Sequence, residues 1–142
     1  MIIPVEYCFN ISSAHKHGSR SEGGHLGRND EFEIRDKAAI VGQLQQLTGP
    51  GHGWMLTGAS GAICITTLHH VAETGDRLIF GFSLSRNANS KLLADPLCSA
   101  VASAGTWRFS FRTRFFDSIC GGPVTGLVAR VPMVLGIVSA GR

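Results

Sequence analysis

The chain has 142 residues, enough for one domain with a single core and too few for two. Hydrophobic residues make up 44% and charged residues 16%, which excludes a disordered chain; a net charge of +3 does not by itself mark a nucleic-acid binder. No apolar run is long enough for a membrane span, and the opening MIIPVEYCFN has neither a basic n-region nor a cleavage site, so the chain reads as cytoplasmic.

In chain order, residues 2–12 read as a strand with Val5, Tyr7, Phe9 and Ile11 on one face. Residues 15–30 are a polar, Gly-rich loop carrying His15, His17 and His25. Residues 31–41 alternate and then turn apolar, which predicts a strand with a helix as its rival. A turn cluster at 47–53 precedes two β-rich runs, 54–57 and 62–67, around Gly58-Ala59-Ser60-Gly61; that pattern predicts a hairpin. Residues 77–84 form a further strand. Residues 90–104 are the best helix, broken or kinked by Pro96. Residues 107–116 alternate aromatic with basic or polar side chains, a strand with one wet face. Two apolar runs between 124 and 138, around Arg130-Val131-Pro132, predict a last hairpin.

Cys8, Cys64, Cys98 and Cys120 form no C-x-x-C pair, so free thiols in a reducing compartment are expected. A thiol followed by Gly121-Gly122-Pro123 suits nucleophilic chemistry. Acyl transfer needs an exposed nucleophile beside backbone N–H groups, and glycines leave room for the approaching carbonyl. A histidine at the end of a strand, as in Leu68-His69-His70-Val71, is a rigid perch for a base. Simpler roles exist for each residue: a buried thiol, a glycine turn, and an exposed histidine. Arg108, Arg112 and Arg114 interleaved with Trp107, Phe109, Phe111 and Phe115 suit stacking on single-stranded nucleic acid, or a strand with a buried aromatic face.

The blocks 51–80 and 117–141 resemble chymotrypsin-like proteases, most closely the viral cysteine branch of the picornavirus main-protease type. The resemblance implies a β-rich, chymotrypsin-like barrel in truncated form, hydrolysing a polypeptide substrate without a cofactor. Cys120 would be the nucleophile, His69 or His70 the base and Asp95 the orienting acid. Ser118, Ile119, Gly121 and Gly122 would form the oxyanion turn.

Phe9-x-x-Ser12-Ser13-Ala14-His15 and Gly27-x-Asn29-x-x-Phe32-Glu33-Ile34 also resemble the 6-pyruvoyl-tetrahydropterin and 6-carboxytetrahydropterin synthase family. That resemblance implies an α+β tunnelling fold of two hairpins and two helices, with zinc at His15 and His25. Leu26 and Arg28 stand at the two other zinc-histidine positions. A third reading is a non-catalytic binding or assembly subunit.

Overall fold

The computed structural model describes residues 31–121 and 125–139. They form nine strands and two helices: β1 Glu31–Ile34, α1 Lys37–Gln45, β2 Gly53–Gly58, β3 Ile63–Val71, β4 Arg77–Phe80, α2 Arg86–Ala94, β5 Cys98–Ala104, β6 Trp107–Thr113, β7 Phe115–Ile119, β8 Gly126–Arg130 and β9 Leu135–Ser139. All neighbouring pairs are antiparallel, in the order β1-β9-β6-β5-β2-β3-β4-β8-β7.

This order closes on itself. Arg114 alone separates β6 from β7, so the run from β6 through β8 to β7 begins and ends on one bent strand. The Thr113 hydroxyl donates to the Arg130 carbonyl at 2.8 Å across the seam. A sheet that returns to its own first strand is a barrel, which removes the edges a flat sheet would expose. Strands β9 and β1 extend the sheet beyond the barrel.

Alternation fills the interior. Trp54 and Leu56 of β2, Leu78 and Phe80 of β4, Phe109 and Phe111 of β6, and Phe115 of β7 are buried. The Phe80 ring meets Trp54 at 5.6 Å, Phe115 at 5.8 Å and Phe111 at 6.5 Å between centroids. Small residues of β5 make room: Ala102 lies between Trp54 and Phe109, and Ala100 between Leu56 and Phe111, in the pairing register. The Trp54 Nε1–H donates to the Leu47 carbonyl at 3.3 Å, which tethers the segment after α1 to the barrel. Helix α1 is capped by Asp36, whose carboxylate accepts from the Ala39 N–H, and it buries Ile40 and Leu44. Helix α2 is capped by Ser85 and buries Leu92.

The hairpin over 54–67 forms as β2 and β3. Several other expectations change. The expected strand over 31–41 ends at Ile34, and Asp36 then starts a helix, because a capping carboxylate precedes a run of good helix formers. The helix expected over 90–104 stops at Ala94, before Pro96, and residues 98–104 form β5. Strands β8 and β9 do not pair with each other: β8 lies between β4 and β7, and β9 between β6 and β1. The β-rich expectation holds, but one continuous barrel replaces the chymotrypsin-like arrangement, and nine strands replace the two hairpins of the tunnelling fold. The strand expected at 2–12 lies outside the described residues.

Gly126 is where two strands approach too closely for a side chain. Its φ is +148°, and a Cβ there would collide with the Phe80 carbonyl oxygen of β4. Gly126→Ala should therefore destabilise the protein by about 2–4 kcal/mol in urea denaturation. A loss below about 0.5 kcal/mol would show that β4 and β8 separate freely there.

Candidate functional site

The end of the barrel where β3 turns into β4 and β8 leads towards β9 carries a cavity of about 370 Å³. Arg35, Lys37, Asp76, Arg130 and Met133 lie on its walls, with Ile40, Val131 and Pro132 as the apolar part. Lys37 opens α1, so its position follows from the Asp36 cap. The turn at 72–76 is held by the Ala72 N–H to the Arg77 carbonyl at 3.0 Å and the Gly75 N–H to the Ala72 carbonyl at 2.8 Å. Gly75 sits so near α1 that a Cβ would stand 3.1 Å from Lys37 Cε. Arg130 ends β8, with its guanidinium carbon 5.0 Å from the centre of the Phe116 ring.

Three cations and one carboxylate line this cavity. Arg35 donates to Glu33 at 2.8 Å, an exposed pair that contributes little. The Thr74 hydroxyl donates to Asp76 at 2.6 Å and holds the carboxyl below the usual carboxylate range, with Arg77 and Lys37 as smaller contributors. Asp76 is thus ionised at neutral pH, and the cavity keeps an excess of positive charge. Such a rim suits a phosphate-bearing or carboxylate ligand, and it holds no nucleophile–base pair.

The residues singled out in the sequence fall elsewhere. Asp95 closes α2 and is buried against Gly58, where a Cβ would collide with its carboxylate; it accepts from the Ser60 hydroxyl at 3.0 Å. Asp95 therefore belongs to the turn end of the β2–β3 hairpin. His69 and His70 lie near the opposite end of β3, about 20 Å further along the strand at roughly 3.3 Å per residue. The His69 Nδ1–H donates to the Thr125 carbonyl at 3.2 Å, and the other ring nitrogen packs against Gly81. His70 is exposed and pairs in register with Ile79. Cys120 is exposed just after β7. Ile119 pairs with Gly126, so Cys120 and Thr125 belong to the same loop, which His69 therefore borders. Ser118 and Ile119 are paired strand residues of β7, and the Ser118 N–H is taken by the Asp117 carboxylate at 2.8 Å. Gly121 has a φ of +76° and open space around it. Gly122, His15 and His25 lie outside the described residues. No group of three or more metal-ligating side chains occurs among the described residues, and no helix among them is long and apolar enough to cross a membrane. Phe109, Phe111 and Phe115 are buried, so they offer no stacking face to nucleic acid.

No protein-family model and no curated protein matches the sequence. Two of the solved structures similar to it are domains or complexes of one protein. The YcgR-N domain of YcgR from Escherichia coli superposes with a TM-score of 0.62 at 18% identity, over 78% of this chain and 94% of that one. YcgR from the same organism in complex with c-di-GMP superposes with a TM-score of 0.69 at 17% identity, over 78% of this chain; the chain spans about half of that protein, 47%. Identities this low establish the fold alone. They correct the protease and pterin-synthase resemblances: the barrel is of the YcgR-N kind, and the two Cys–His blocks are local likenesses without the family's architecture.

The thiols provide a check on this placement. Burial pushes the Cys98 thiol up to about 11, with the Asp95 charge adding to it, and burial also raises Cys64. Iodoacetamide at pH 8 should label Cys120 well before Cys64 and Cys98 in the native state. Because the folded Cys98 thiol keeps its proton above its unfolded value, that contribution to stability is full below about pH 8.5 and is lost as pH rises towards the folded value. Melting temperature should accordingly fall on the alkaline side of pH 9, and less so in Cys98→Ala.

Proposed function

We propose that the chain is a non-catalytic, ligand-binding regulatory module whose ligand is a phosphate-bearing nucleotide of the cyclic di-guanylate class. The observation that carries this reading is the net-positive cavity at the barrel end, formed by Arg35, Lys37 and Arg130 around a single carboxylate. A barrel of this kind occurs in YcgR, a protein solved in complex with c-di-GMP. The activity of that whole protein comes to this chain as part of the proposal, since the chain covers about half of it.

The chemistry follows from the lining. Guanidinium and ammonium donors recognise phosphate oxygens through charge-assisted hydrogen bonds. Met133 is 85% exposed and, with Val131 and Pro132, supplies an apolar wall for a base or sugar. Asp76 sets an upper limit on anion affinity, because its charge opposes the ligand's.

Isothermal titration with cyclic di-GMP tests the reading. Binding is expected, with affinity falling steeply as salt rises. Lys37→Ala should weaken it by about tenfold and Asp76→Asn should strengthen it by about threefold. Absence of binding, or binding indifferent to both substitutions, would remove the cavity as the nucleotide site.

A further inference from the structure

We infer that Arg77 and Arg130 form a two-guanidinium clamp for a single phosphate group, an anion site outside the lining described so far for Arg77. The inference deepens the nucleotide reading and rests on it for the identity of the ligand, though not for the anion chemistry.

Register places the two arginines together. Arg77 of β4 and Arg130 of β8 are direct antiparallel partners, so their side chains leave the sheet on the same side. Alternation shows which side. Phe80 pairs with Leu127 and Leu78 with Ala129 in the barrel core, whereas Arg77 and Arg130 stand on the other face of the sheet, in line with the buried pair Ile79 and Val128. Like charges directly opposite on neighbouring strands are unfavourable unless something neutralises them.

The Asp76 carboxylate offsets part of that charge, but it is shared between Arg77 and Lys37. Neither guanidinium has a carboxylate within ion-pair distance there; the ion pair present joins Arg35 to Glu33. Asp76, next to Arg77 in sequence, and Asp117, which pairs with Val128 of β8, also accept hydrogen bonds from their own neighbours. Asp76 accepts from the Thr74 hydroxyl at 2.6 Å, and Asp117 from the Ser118 N–H at 2.8 Å.

The Arg130 arm is held in place, and the Arg77 backbone is anchored beside it. The Arg130 carbonyl accepts from Thr113, and its guanidinium lies over the Phe116 ring, which is 41% exposed. The Arg77 carbonyl accepts from the Ala72 N–H. Two planar forks carried on facing strand positions match the free oxygens of one phosphate, mono- or diester, and the open edge of Phe116 leaves a surface against which a base can lie.

Calorimetry with two probes, inorganic pyrophosphate and cyclic di-GMP, decides between outcomes. Expected is binding of pyrophosphate, a loss of about tenfold or more in Arg77→Gln and in Arg130→Gln, and little further loss in the double variant, because one clamp is broken once. Arg130→Lys should retain less than half of the wild-type affinity, since an ammonium neither forks nor stacks as a guanidinium does. In phosphate-free buffer Arg77→Gln should melt above the wild type, as the like-charge contact is relieved. Arg112→Gln, on another strand, is the control and should change nothing. The clamp is overturned if the single variants bind both probes as the wild type does, or if Arg112→Gln costs as much as they do. Pyrophosphate binding that depends on both arginines without cyclic di-GMP binding would keep the clamp and remove the nucleotide reading; cyclic di-GMP binding indifferent to both arginines would overturn the clamp and leave the nucleotide reading to rest on Arg35 and Lys37.

Discussion

The structure depends on one packing constraint: four aromatic rings, Trp54, Phe80, Phe111 and Phe115, share the inside of one barrel. Rings of that size fit only where neighbouring inward positions are small, and β5 supplies this with Ala100 and Ala102. Closure through the bent strand β6–β7 then follows, since Phe111 and Phe115 lie on either side of the bend and both reach the ring of Phe80. With the middle filled by rings, the ends are left to α1, to α2 and to the loops between strands. The cationic cavity is one of those ends, so its walls are the start of α1, a turn and the exit of β8 rather than strand faces.

Much of this was legible where local chemistry and tertiary structure agree. The β2–β3 hairpin announces itself through its glycine-bearing turn, and β6 through aromatics alternating with arginines. The misreading at 90–104 has a plain cause. Residues 98–104 are alanine, serine, valine and cysteine, without the bulky β-branched run that marks a strand, because the barrel needs small side chains there. Their period of two was present all the same: Cys98, Ala100 and Ala102 are buried while Ser99, Val101 and Ser103 are less so. The pairing of β8 and β9 was not legible from their own residues. Partner choice is set by the long bent strand 107–119, along whose two halves they lie.

The candidate site shows the converse difficulty. Cys120, His69 and the two glycines after the cysteine carry a motif-like pattern, and the fold even brings His69 to the loop that holds Cys120. The third member is absent from that place, because Asp95 serves as a helix terminus and a partner for Ser60. Short patterns specify local chemistry and say little about which distant group will meet them. The cations of the cavity, by contrast, are single residues scattered from 35 to 130 with no spacing to connect them. Only the register of β4 against β8 and the approach of Gly75 to Lys37 assemble them.

That assembly runs against the interest of the fold taken alone. Opposed arginines at the end of a barrel repel each other, and a chain selected for stability has easy substitutes at an exposed strand terminus. The neighbourhood nevertheless holds Arg130 through Thr113, which bonds its backbone, and Phe116 beneath its guanidinium, while Asp76, hydrogen-bonded to Thr74, offsets part of the Arg77 charge. The aromatic core and the cationic rim are thus linked: the first fixes the strand register, and the register sets Arg77 opposite Arg130.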